Sequence, residues 1–196
     1  MQKAGTSKQQ AGSDSAWKVV IGMPIWSEKE AFEAISKEQL IELFKMSAQL
    51  MLTIDGLWFV GAEKAMGIET TMKLDEGVWR QFGALEANRM KKFLGMESVA
   101  TLEDVSKIVL LSPMWVSVGP QAEIHNDRCY LSVTNCLPQK ARIKKGLSEL
   151  PCKSMGTAYF EGFAPALNPR LNFKCIVCPP DEHPKDVWCK WEVGWF

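Results

Sequence analysis

Apolar residues in the first half of the chain recur at steps of three and four. Leu40, Phe44, Ser47, Met51, Ile54 and Trp58 fall on one such series, the signature of a helix face. A helix is therefore predicted over 36–66. Ser36 with Gln39 has the form of a capping box, and Gly67 is placed for a left-handed stop. Gly56 and Gly61 lie inside this run. Each weakens a helix by about 1 kcal/mol against alanine, which points to close packing or a ligand beside them. A second series, Met72, Val78, Trp79, Phe82, Leu85, Arg89 and Phe93, predicts a helix over 69–94, soft near Asp75 and ended by Gly95. Ahead of both, Ser27 and Glu30 form a capping box for a short helix through Ile35, and residues 19–21 read as a short strand. Thr101 opens a third helix with acids in its first turn, and Pro113 ends it.

After Met114 the period changes to alternation. Strands are predicted at 115–118, 122–125 and 129–133, the last two joined by a turn at Asn126-Asp127. A short basic helix at 139–145 ends at Gly146. A helix over 155–167 carries Gly156, Ala158, Gly162 and Ala164 on one face, which lets it lie close to a sheet. The final strands are placed at 171–177 and 187–193. Helices first, then strands with inserted helices, is an α+β order rather than a βαβ repeat. The expected organisation is a polar arm at 1–16 and one α+β domain at 17–196. That domain is mainly helical over 17–113, and sheet plus helices with a cysteine cluster over 114–196.

Composition narrows the function classes. Lys+Arg and Asp+Glu both number 23, so no net field draws the chain to nucleic acid or an anionic membrane. No apolar run is long enough to insert in a bilayer, and the first residues lack the apolar centre of a signal peptide. A cytoplasmic setting is expected, where thiols stay reduced and clustered cysteines favour metal over disulfides. All six cysteines lie between Cys129 and Cys189. Cys175 and Cys178 form a C-x-x-C knuckle stopped by Pro179-Pro180, with Cys152 and Cys189 on either side. Four thiolates at about 2.3 Å make a closed structural zinc site, with no position left for a catalytic water. Cys136 and His183 are alternative ligands.

The order of signals from Asn135 to Val193 resembles the 4-vinyl reductase domain, whose ligand-binding fold occurs in nitric-oxide-sensing and Golgi-transport proteins. Gly146, Cys152 before a helix with Gly156, Tyr159, Gly162 and Phe163, then Cys175, Cys178 and Cys189 carry the likeness. It implies zinc on Cys152, Cys175, Cys178 and Cys189, with Cys175 standing where relatives have an acid. The stretches at 52–69, 135–146 and 178–193 also resemble an uncharacterised prokaryotic family related to L-2-amino-thiazoline-4-carboxylic acid hydrolases. That resemblance implies a pocket for a small, partly apolar molecule between helices and sheet, and a homodimer. Asp55, Trp58, Tyr159 and Phe163 are the residues expected around such a ligand.

Asp55 and Glu63 lie eight apart on the first long helix, near one face, and a buried acid beside Trp58 can act as acid or base. The favoured reading is plainer: Asp55 caps a break at Gly56, and Glu63 pairs with Lys64 or solvent. His125 is the natural general base by its ordinary pKa, though a hairpin end is a surface position by default. Cys129 and Cys136 are possible nucleophiles with only Arg128 and Lys140 nearby in sequence. Trp58 and Trp79 read as core, Trp195-Phe196 as an interface, and Arg142, Lys144 and Lys145 as a solvated basic face. The expected function is a small-molecule sensor or carrier with structural zinc. The alternatives are a hydrolase of a cyclic amide-like or thiazoline carboxylate compound, and a scaffold subunit.

Overall fold

The computed structural model describes residues 27–195. The strand expected at 19–21, the polar arm and Phe196 lie outside them. The chain divides after Ile41 into two compact units. In the first, Ser27 and Glu30 close a full capping box at the start of α1 (Glu28–Glu33). The Ser36 and Gln39 side chains each accept the other's backbone N–H, opening α2 (Lys37–Met66).

The second unit, from Glu42 onward, holds the rest of α2 and all later elements. They are α3 (Ile68–Phe93), α4 (Leu102–Leu111), α5 (Pro113–Val116), β1 (Pro120–His125), β2 (Arg128–Val133), α6 (Leu137–Lys144), α7 (Lys153–Leu167), β3 (Leu171–Val177) and β4 (Cys189–Trp195). The α+β order stands. One sheet, ordered β1-β2-β4-β3, is antiparallel throughout. The β1–β2 hairpin turns at Asn126, which takes the left-handed conformation with φ 55°, as Asn tolerates.

Four expectations change. Residues 115–118 are not a strand. Pro113 stands at the first position of α5, where a missing N–H costs nothing and φ is already helical. α3 passes Asp75 without a break, and α2 passes Gly56 unbroken, so Asp55 caps nothing there. The last strand starts two residues later than predicted and runs to Trp195.

The buried faces of the two long helices also differ from the apolar stripes. α2 buries Ala48 and Phe59, while Leu40, Phe44, Ile54 and Trp58 are exposed. Trp58, expected in the core, is 74% exposed. α3 buries Met72, Trp79, Gly83, Glu86, Ala87 and Met90, and leaves Val78, Leu85 and Phe93 outside. Small residues decide this. An added Cβ at Gly83 would lie 2.3 Å from the Tyr159 carbonyl oxygen, and one at Gly162 would lie 1.9 Å from that of Arg80. α3 and α7 therefore meet backbone to backbone through two glycines. The small face of α7 meets the sheet as well, since Gly156 sits under the Trp191 ring. Between α7 and the sheet, Phe160 stacks on Phe173 at 4.0 Å and meets Trp191 at 4.7 Å.

Candidate functional site

A partly open cavity of about 290 Å³ lies among α2, α3, α5, α6, α7 and the inner face of β2 and β4. Its walls are mostly apolar and aromatic, with Trp79, Trp115, Tyr159, Phe160 and Trp191 prominent. Polar chemistry enters it at two places.

The first is a group of thiols. Cys136, Cys152, Cys178 and Cys189 all line the cavity. Cys152 is the N-cap of α7, Cys136 is the N-cap of α6, Cys178 follows β3 and Cys189 opens β4. The Cys152 and Cys178 sulfurs are 3.6 Å apart. Contact with Cys178, helped by the Gln139 amide at 3.4 Å, holds the Cys152 thiol below its ordinary range despite burial. The same contact, with Cys189 beyond it, pushes Cys178 far upward. Burial raises Cys136 to about 12 and Cys175 to about 11, Lys153 pulling the latter down somewhat. Among the described residues no three His, Cys, Asp or Glu side chains converge as a preformed metal site.

The framing of this group is specific. Gln139 is fully buried and ties both backbone groups of Leu150, accepting from its N–H and donating to its C=O, each at 2.8 Å. That bond pair fixes the strand of chain leading into Cys152. On the other side, the Lys153 N–H donates to the Pro179 carbonyl, and the Lys153 ammonium meets both Asp181 oxygens at 2.9 and 3.0 Å. Asp181 in turn accepts from the Cys178 N–H. The start of α7 and the end of β3 are thereby held together.

The second place is an acid–indole wall. Asp55 of α2 and Asp75 of α3 both line the cavity. Burial raises both carboxyls. For Asp75 the neighbouring Asp55 adds to this, and the result is a pKa of about 7. The Trp79 indole, one turn on from Asp75, pulls slightly the other way, yet neither Trp79 Nε1 nor Asp75 Oδ2 has a well-formed hydrogen bond. Trp115 Nε1 is likewise buried without a well-formed hydrogen bond, though it acts weakly on the Tyr159 hydroxyl. Deeper in, Glu86 is buried beneath the wall. It accepts from the Tyr159 hydroxyl at 2.7 Å and from the Met114 N–H at 3.0 Å. Its pKa is raised by burial, and burial beside Glu86 also raises that of Tyr159.

The other predicted residues are scattered. Glu63, half-buried, pairs with Arg142 rather than Lys64. Its carboxylate takes a two-point ion pair from Arg142, at 2.7 and 3.1 Å, which lowers its pKa. Arg142, expected on a solvated face, is buried, because Glu63, the Ser148 carbonyl and the Phe59 ring together satisfy it. Trp58 lies on an open groove between α2 and α3 instead of in the cavity, and Phe163 is sealed in the core. Tyr159 does line the cavity. His125 is exposed beside Glu123, and His183 sits between the Pro184 carbonyl and Glu149. Cys129 is in the core against the Ser106 hydroxyl, away from the cavity lining, and its pKa is raised by burial. Asp75, Glu86, Trp115 and Gln139 escaped the sequence reading. A signal for two of them existed: Met72, Asp75, Trp79, Gly83, Glu86 and Met90 follow one helical face, and two acids on such a face need a reason.

No curated protein matches the chain. A family model does match, over residues 33–195, and the chain belongs to that family, DUF6125, a family of unknown function.

Proposed function

We propose that the chain binds a small, partly apolar molecule in the 290 Å³ cavity, as a sensor or carrier. The observation that carries this reading is the cavity itself. It is apolar over most of its wall and approaches the size range of ligand sites, with a few polar groups converging on it. A pocket between helices and sheet is also what the resemblance to the family related to L-2-amino-thiazoline-4-carboxylic acid hydrolases implies.

The thiol group is read as a structural zinc site of Cys152, Cys175, Cys178 and Cys189, with Cys136 as an alternative ligand. The donor chemistry fits: soft thiolates favour zinc, and ligands at 2.3 Å in a tetrahedron stand about 3.8 Å apart, near the Cys152–Cys178 separation of 3.6 Å. Zinc would replace the thiol protons and tie α7 to the final strands. The exposed apolar residues of α2 and α3, including Leu50, Ile54, Leu57, Trp58 and Val78, support a homodimer in which a second copy covers them.

Indole, a compact neutral aromatic, tests the cavity. Titration calorimetry should show binding to the wild-type chain. Gly56→Phe should abolish it, because Gly56 lines the cavity and has open space where a side chain would start. Equal binding by the variant, or none by the wild type, overturns the reading.

A second reading, a hydrolase, has one observation in its favour: Asp75 titrates near 7 on the wall of the same cavity, as a general acid or base would. Turnover of a thiazoline carboxylate, lost in Asp75→Asn, would establish it.

A further inference from the structure

We propose that the Asp55–Asp75–Trp79–Trp115 wall is a subsite for an organic ammonium ion, so that the ligand of the cavity is a compact aromatic or aliphatic amine. This rests on the cavity being a binding site. Four observations lead to it. First, two carboxyls from different helices line the same wall, close enough for the charge of one to act on the other. Second, neither makes an ion pair among the described residues. The basic groups of the cavity are otherwise engaged or peripheral: Arg142 is held by Glu63, and Lys145 is exposed. Two ionised acids in an apolar wall with no cation of their own are costly; a proton on Asp75 relieves this below about pH 7, and a cation arriving with the ligand would relieve it above.

Third, Trp79 and Trp115 are 7% and 2% exposed, they line the cavity, and neither indole N–H has a well-formed hydrogen bond, Trp79 acting only weakly on Asp75 and Trp115 on the Tyr159 hydroxyl. A buried polar group left unpaired is rare in a folded protein. Beside the indoles, Asp75 Oδ2 is a buried acceptor without a well-formed bond, and an ammonium N–H would fill it. Fourth, the rings supply π faces, and Trp is the best partner for a desolvated ammonium. An ammonium group therefore finds at one wall both the opposite charge and the aromatic faces it prefers. A carboxylate placed there would meet two acids, and a neutral alcohol would leave the charges without a counter-ion.

Three compounds with one indole skeleton separate the possibilities by titration calorimetry at pH 8: tryptamine (cation), tryptophol (neutral) and indole-3-acetate (anion). Tryptamine should bind the wild-type chain at least tenfold more tightly than tryptophol, with indole-3-acetate weakest. Asp75→Asn and Asp55→Asn should each weaken tryptamine at least tenfold and leave tryptophol within twofold. Retained tryptophol binding and an unchanged circular dichroism spectrum show that the variants are folded. If tryptophol equals tryptamine, or both asparagine variants hold tryptamine as the wild type does, the ammonium subsite is refuted while the cavity reading stands. If none of the three binds, the inference falls, and the indole titration decides separately whether the cavity reading falls with it.

Discussion

Asp75 is worth less to the fold ionised than protonated. Burial and the adjacent Asp55 raise its pKa from 3.8 to about 7, so the folded chain holds a proton there that the unfolded chain has released. With the unfolded state binding fewer protons, stability falls as pH rises from about 4 to about 7. The difference between the two states corresponds to about 4 kcal/mol, and solvent reaching the residue from the open groove reduces this to roughly 2–3 kcal/mol. Asp75→Asn should therefore raise the melting temperature at pH 8 by several degrees and leave it nearly unchanged at pH 4. A gain of equal size at both values would show that the charge is not the cause. Glu63 has the opposite sign. Arg142 lowers its pKa, so its contribution is present above the ordinary value of 4.5 and is lost as pH falls through the lowered folded pKa. Arg142→Met removes one partner of a two-point pair and leaves Glu63 uncompensated. Urea denaturation at pH 7 should show a loss of about 2–4 kcal/mol, smaller at pH 3.

At the scale of elements, the contact that orders the molecule is the backbone approach of α3 to α7. A methyl group at Gly162 or Gly83 has to displace a carbonyl of the facing helix, and neither helix can yield alone. Gly162→Ala and Gly83→Ala should each cost about 2–3 kcal/mol or more in urea denaturation, the penalty of overpacking. Gly77→Ala, also in α3 but with nothing within 4 Å, should instead gain up to about 1 kcal/mol from helix propensity. The same contact explains what the sequence could and could not convey. Element types were legible wherever a local rule decided them. Ser27, Ser36 and Thr101 cap their helices as their spacing to Glu30, Gln39 and Asp104 requires, and Asn126 turns the hairpin. Faces were not legible, because side-chain hydrophobicity marked Val78, Leu85 and Phe93 as inward while packing selected the small residues of α3. The site suffered for the same reason. Cys136, Cys152, Cys178, Cys189, Asp55 and Tyr159 could be singled out from chemistry and spacing. Glu86, Trp115 and Gln139 acquire their roles only when distant segments meet: Glu86 through Tyr159, Trp115 through a four-residue helix, Gln139 through the backbone of Leu150.

For the whole molecule, two proposals meet at the cavity from opposite ends. If a second copy covers the outward apolar faces of α2 and α3, Trp58→Glu with Ile54→Glu should convert a dimer to a monomer in sedimentation, with the helix content unchanged. A wild-type monomer at all concentrations would sink the homodimer. The thiol end makes a stronger claim, because it concerns how the last third of the chain is tied to the rest. Lys153, Asp181 and Gln139 already bring the N-terminus of α7 to the end of β3 without metal. Zinc would add bonds across the same junction and to Cys189 on β4, and metal affinity becomes folding energy because the unfolded chain has no site. Native mass spectrometry should find one zinc per chain, and Cys178→Ser should lose it. Chelation should then lower stability by several kcal/mol, and it should loosen β3, β4 and the first turn of α7 together, read as faster amide exchange there than in α4. If the wild-type chain carries no zinc and exchanges no faster in chelator, the hydrogen bonds around Lys153 and Gln139 suffice. Cys152, Cys178 and Cys189 would then be part of the ligand site's wall rather than a staple beneath it.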